Sequence, residues 1–400
     1  MAILYLIIGL ILFVGLVVIH EFGHFVMARR NGVEIEEFGI GFPPAFYKKR
    51  IKSAKGDYDF TLNWLPLGGF VRLKGENDAA DETGTFGAAS LKAKVKIMVA
   101  GVVMNLVVAL VLLTAIAAIG MPKLITPASL GEDQFTVASD TKVVKQEVKI
   151  NLVEANSPAS KTGLMTGDKL TGYGNPESPA GALKPFAGVI IQDITKQFAG
   201  QPLRLAYERD GRMAQTIVQL RSTAEVEASQ KTSNPKGYLG VGTYESIVQR
   251  STWSSPVVAL GLTAQLTKLT IQGLGKALAG LGGTIAGAVT GNTPARQAAQ
   301  TAASEQVSGP VGIYFILKEG AKQGIVFILF ITALISLTLA IMNILPIPAL
   351  DGGRLFVTLL YRVIRRPLTA RAEELIHGTG MLVLLVLFAL ITVVDVKRFF

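Results

Sequence analysis

Two histidines four residues apart, with a glutamate beside the first, form the chain's most reactive-looking cluster: His20-Glu-Phe-Gly-His24, inside a long apolar run. At about 100° per residue, helix positions four apart return to nearly the same face, so both imidazoles can reach one metal ion. In this arrangement the histidines bind Zn²⁺ and Glu21 takes a proton from water that the metal has made more acidic. A plainer reading has three polar residues snorkelling to an interface or pairing with neighbouring helices. Against it, two imidazoles and a carboxylate in an apolar span are costly without a partner. The chain has 3 histidines in all, and this cluster uses two of them.

Catalytic zinc usually takes three protein ligands plus water, so one is missing. With no cysteine in 400 residues, it must come from His, Asp or Glu. The best candidate is Asp351, in Asn343-Ile-Leu-Pro-Ile-Pro-Ala-Leu-Asp-Gly-Gly353, where Pro346 and Pro348 must end or distort a helix at membrane depth. Irregular backbone is tolerated there only where it is buried in protein or lines a wet cavity. Read alone, Asp351 fits a helix cap before a glycine turn better than a ligand. Its side of the membrane reverses that weighing.

The elements that must position these residues are hydrophobic. Apolar residues make up 50% of the chain, charged residues 17%, and mean hydropathy is +0.44; a soluble domain averages about 25% charged. The chain therefore reads as an integral membrane protein. A net charge of +10 could suit nucleic acid, but the basic residues fall in short blocks beside apolar runs, so no nucleic-acid partner is expected. The absence of cysteine excludes disulfides and thiolate metal sites.

Four segments are apolar over the roughly 20 residues a crossing needs, near 3–27, 97–119, 325–345 and 379–395. The first lacks a basic start and carries the His-Glu cluster at its far end, so it reads as a retained helix and not a signal peptide. Basic residues concentrate between the first and second spans (Arg29, Arg30, Lys48, Lys49, Arg50) and between the third and fourth (Arg354, Arg362, Arg365, Arg366, Arg371). Both connections are assigned to the cytoplasm. The termini and the long segment from about 120 to 324 are then outside, weakly opposed by Lys397 and Arg398. The first and third spans both run inwards, which brings Asp351 to the side of His20 and His24. His377, just before the fourth span, reads as an interfacial residue and is left out of the site.

Alternation around Tyr58 to Leu62 and in Gly69 to Lys74 predicts a small sheet against the membrane. The outer segment holds one mixed domain with strands at Val148 to Val153, Leu203 to Tyr207 and Thr216 to Leu220, the last two joined by a turn at Asp210-Gly211. Its Ser157-Pro-Ala-Ser-Lys-Thr-Gly-Leu-Met-Thr-Gly-Asp168 stretch has the punctuation of bacterial PDZ domains. Tyr238, Leu239, Gly240 and Val241 resemble their carboxylate-binding loop, placed as in a circular permutant, and each signature occurs once. Residues 257–289 are expected to form an external or interfacial amphipathic helix, because Gln265, Lys268, Gln272 and Lys276 are expensive at a bilayer centre. A flexible linker is expected over 291–304.

The paired motifs at His20 to His24 and Asn343 to Gly353 resemble the signature of the site-2 protease family of intramembrane zinc proteases. The single external PDZ-like domain is similar to that of bacterial members acting in regulated intramembrane proteolysis, the regulator of sigma-E protease type; some members have two. Smaller matches are Phe38-Gly-Ile-Gly-Phe42, Gly68-Gly-Phe-Val71, Gly101-Val-Val-Met-Asn105 and Ser308-Gly-Pro-Val-Gly312. The resemblance implies one zinc ion per chain held by His20, His24 and Asp351, with Glu21 as general base. It further implies a substrate-binding group of Asn343, Gly68, Gly69, Phe70, Val71 and Asn105. Implied partners are single-span membrane proteins, such as anti-sigma factors or remnant signal peptides, the lipid bilayer, and a C-terminal peptide at the PDZ-like domain. The implied location is the bacterial cytoplasmic (inner) membrane, with the active site towards the cytoplasm.

The expected fold is thus a polytopic α-helical membrane protein with four transmembrane helices, a small cytoplasmic membrane-associated β-sheet and an extracytoplasmic PDZ-like α/β domain. Its parts are a first span over 1–30, the β region over 31–94, a second span over 95–120 and the PDZ-like domain over 121–250. An amphipathic helix and linker over 251–324 follow, then a third span over 325–353, a cytoplasmic loop over 354–376 and a fourth span over 377–400. A zinc or proton transporter is the alternative, since intramembrane His, Glu and Asp also mark ion pathways; the internally repeated broken helices that would support it are not found in the sequence.

Overall fold

A computed structural model describes residues 2–54, 56–76, 80, 82–126, 130–177, 179, 182–186, 191–230, 232, 234–290, 312, 314–315, 318 and 324–399. In chain order the elements are α1 (Ala2–Arg30), β1 (Ile35–Ile51), β2 (Tyr58–Leu73) and α2 (Leu91–Ile119). Next come β3 (Met121–Pro122), β4 (Lys142–Val153), α3 (Pro158–Lys161), β5 (Lys169–Gly174), β6 (Lys184–Pro185), α4 (Ile191–Gln197), β7 (Pro202–Arg209), β8 (Arg212–Gln219), α5 (Thr223–Gln230) and β9 (Val241–Arg250). Then follow α6 (Ser255–Thr290), α7 (Ile325–Ile344), α8 (Asp351–Val363) and α9 (Ala370–Phe399). Two compact units result, Met1–Ile116 with Ser255–Phe400, and Ala117–Ser254.

The first unit carries the helices. Without proline, α1 and α2 satisfy their backbone groups internally, as lipid demands. Arg29 and Arg30 sit in the last turn of α1, where cations complement the helix dipole, and Gly32 at φ 77 lets the chain leave it. Close contact between α1 and α2 depends on Gly23, where a Cβ would come within 2.6 Å of the Ala100 carbonyl oxygen. Leu345, which precedes Pro346, is forced extended (φ −68, ψ 148) and ends α7. The chain then folds back so tightly that a Cβ on Gly352 or Gly353 would overlap the backbone of Ile344 or Ile347.

β1 and β2 are antiparallel and both double back, so residues 37–40 pair with 59–62 on one side and 69–72 on the other. The 69–72 stretch is therefore an outer edge. Beneath it Ala28, Val33, Ile35, Leu73, Phe86, Ile97 and Met98 form a core that ties the sheet to α1 and α2.

Among the described residues five helices are long and apolar enough to cross a membrane, one more than the four expected; the addition is Ser255–Thr284 in α6. Part of its apparent polarity is masked, because Thr263, Thr267, Thr270 and Thr284 return their hydroxyls to carbonyls four residues back. The linker expected over 291–304 and motif residues 308–311 lie outside the described residues.

The second unit is a seven-stranded sheet in the order β3-β9-β4-β5-β7-β8, with β6 beside β5. Alternate residues Leu203, Leu205 and Tyr207 of β7 enter its core with Val148, Ile150, Leu170 and Val218. Asp210 and Gly211 join β7 to β8 with both φ values positive (50 and 77), as a two-residue hairpin turn requires. Asp140 accepts from the Thr252 and Ser254 amides at 2.7 and 3.0 Å and from both hydroxyls, which ties the approach to β4 to the C-terminal end of this unit.

Candidate metal centre

α1 turns His20 and His24 to one side, where they are 6% and 7% exposed with ring centroids 4.8 Å apart. α2 runs back along that side: Ile97 lies at the level of His24 and Asn105 at the level of His20. α7 joins them through Ser336, whose hydroxyl donates to the Asn105 carbonyl at 2.8 Å, and ends one loop short of Asp351. α1 and α7 therefore run in the same direction, with α2 opposed.

Asp351 Oδ2 lies 2.9 Å from His20 Nε2 and 3.1 Å from His24 Nε2, and the two Nε2 atoms are 3.2 Å apart. Among the described residues these three form the one group of His, Asp and Glu able to share a metal, with donor atoms within 4.8 Å of one another. His24 Nδ1 donates to the Ile97 carbonyl at 2.7 Å. A neutral His24 thus turns a lone pair towards the Asp351 carboxylate, and two acceptors so opposed need a cation between them. Tetrahedral zinc with ligand bonds of about 2.0–2.1 Å spaces its donors by about 3.3 Å. Gly101 faces the same spot, where a Cβ would stand 2.5 Å from His24 Nε2 and 2.6 Å from His20 Nε2. The donor chemistry, spacing and free space all fit zinc.

Asn105 lies behind His20. Expected to bind substrate, it has 0% exposure, and its amide lies 3.2 Å from His20 Nδ1 while its Oδ1 has no partner among the described residues. A ligating imidazole donates its other N–H. Turning the amide brings Oδ1 to that N–H as its acceptor. Asn105→Leu is expected to weaken zinc binding about 10–100-fold, measured by chelator competition.

Glu21 lines a cavity of about 840 Å³ together with His24, Phe70, Val71, Asp351 and Arg354. Its Oε2 accepts the Val71 amide at 3.1 Å, so the outer strand edge faces the site. Gly68 and Gly69 lie against Val17 and Val18 of α1, close enough that a Cβ would meet them at 3.4 and 3.3 Å. Asn343 is half-buried and is not among the described residues lining the cavity. Tyr238 to Val241 belong to the second unit, where the carbonyls of Tyr238, Leu239 and Gly240 accept from Arg221, Ala159 and Glu154.

Sequence reasoning missed two residues. His377, read as interfacial, lines the cavity and accepts the Ala349 amide at 3.1 Å; a single histidine without a spaced partner gives no signal. Gly101 was noted within a motif, and a glycine inside an apolar helix does signal close approach, though not to what.

The sequence pattern of peptidase family M50 matches residues 8–387. A Clostridium perfringens protein bearing a provisional zinc metalloprotease name is 28% identical over 399 residues, covering 98% of both chains. The regulator of sigma-E protease of Salmonella typhimurium is 25% identical over 468 aligned positions, covering 96% of each.

Proposed function

Because the chain belongs to peptidase family M50, the site-2 proteases, and is thus a membrane metalloprotease, we propose that it hydrolyses peptide bonds within or near the transmembrane segments of single-span membrane proteins. The observation that carries this reading is the convergence of His20, His24 and Asp351, with Glu21, His24 and Asp351 lining a cavity among apolar helices. These three residues would hold one zinc ion per chain, and zinc supplies Lewis acidity that polarises a carbonyl and acidifies water.

The chain's own residues do the rest. Glu21 takes the proton of the attacking water and returns it to the leaving amine. A bond in a transmembrane helix is shielded by helical hydrogen bonds, so an extended segment must be offered; adding it to the 69–72 edge replaces the bonds lost. Support comes from the Val71 amide, which points at Glu21 and away from β1. Phe70 and Val71 line the cavity and would flank the added segment.

For topology we infer that the termini and the 121–250 region are outside and the metal centre is towards the cytoplasm of a bacterial inner membrane. The basic connections support this, as does parity. With α1 and α7 parallel, α2 alone can separate them.

We read 121–250 as a permuted PDZ-like domain. β3 covers only Val248 and Gln249 of β9, which leaves the edge beside Val241 open among the described residues. The inward-bonded carbonyls of 238–240 leave the Leu239 and Gly240 amides for a carboxylate. C-terminal peptides titrated into a 117–254 fragment should bind and lose affinity on C-terminal amidation; equal affinity would leave only steric filtering of substrates. As substrates we propose single-span regulators such as anti-sigma factors, with remnant signal peptides a second class; the Salmonella relative is named for regulation of sigma-E.

The decisive experiment is cleavage of a single-span reporter in detergent, expected to stop with a chelator and resume with zinc. Zinc uptake into vesicles without cleavage would instead favour the transporter reading, which the comparisons do not support.

A further inference from the structure

Asp351 is delivered by the loop between Ile344 and Asp351, whose two prolines supply no amide donors. A ligand must be held to about half an ångström, so this loop needs outside support. Ala349 needs it most, since it sits at φ 79, a region that disfavours residues with a Cβ.

Support comes from one face of α9. Glu373, His377 and Gly380, spaced four and three apart, share that face. Glu373, 4% exposed, accepts from Arg354 Nη2 at 3.4 Å, three residues past Asp351. His377 Nδ1 accepts the Ala349 amide at 3.1 Å, two residues before it. A Cβ on Gly380 would overlap Pro348, so helix and loop are in direct contact. The grip thus reaches both flanks of the carboxylate.

We propose that this face of α9 is a clamp that sets Asp351 against the two histidines, with His377 as its positioning residue. The part that matters is the acceptor at Nδ1. An imidazole accepting there while neutral carries its hydrogen on Nε2, and that atom is buried with no partner among the described residues. Asparagine places an acceptor where Nδ1 stands, glutamine where Nε2 stands, and phenylalanine offers none.

The inference rests on Asp351 being a ligand, so the test includes that residue. Full-length His377→Asn, His377→Gln, His377→Phe and Asp351→Ala would be compared by chelator competition for zinc, and by kcat and KM at saturating zinc. His377→Phe and His377→Gln are expected to lose about 10–100-fold in zinc affinity, with His377→Asn within about threefold of the wild type. Their kcat should fall with KM little changed. If Asp351→Ala loses zinc and His377→Phe does not, the clamp is overturned alone; if Asp351→Ala keeps zinc, the ligand reading falls with it. The Asn and Gln variants match in polarity, so equal losses in both would also overturn the clamp, even should the Phe variant fail to fold.

Discussion

Glu21→Gln should reduce cleavage of a single-span reporter by about 10²–10⁴-fold, the usual contribution of a positioned acid-base group, while zinc content stays at the wild-type level. The reason lies in what the amide keeps. Glu21 touches the strand edge by accepting the Val71 amide, and the glutamine carbonyl can accept that same bond. Volume and sheet contact persist, and only the capacity to take a proton is lost. Single-turnover assays at saturating zinc measure the effect, with metal analysis on the same sample. Cleavage within threefold of the wild type would remove Glu21 as the base.

Gly101→Ala should abolish both zinc binding and cleavage, although it adds a single methyl group. Its Cβ would stand 2.5 and 2.6 Å from the two imidazole nitrogens, inside contact distance and close to where a metal at about 2.0–2.1 Å from each must be. Backbone movement offers little relief, because Gly23 already brings α1 against the Ala100 carbonyl. Gly15→Ala is the matched control: it lies in α1 with nothing within 4 Å of a Cβ, so it should keep zinc and gain up to ~1 kcal/mol of helix propensity. Full zinc occupancy in Gly101→Ala would mean that the metal lies elsewhere.

Much of this centre was legible beforehand, because its parts are local. His20 and His24 converge through helical spacing alone, and Pro346 and Pro348 announce a break before Asp351 wherever the segment packs. Asn105 was legible as a motif residue but not as a neighbour of His20, since the motif does not say which way an amide faces. α6 was legible as a helix but not as a length of span, since Gln265, Lys268, Gln272 and Lys276 were weighed against a crossing while its length and composition suffice for one.

By itself the sequence determined the two histidines on one helix face, the glutamate beside them, the broken helix and an apolar chain to carry them, because each follows from periodicity, proline geometry or transfer energy within about 20 residues. Only the tertiary structure decided that Asp351 meets both imidazoles, that Ile97 fixes the tautomer of His24, that Gly101 leaves the space, and that His377 grips the loop. Those depend on contacts between residues 28 to 331 positions apart, where distance along the chain carries no information and packing of helix against helix sets every angle.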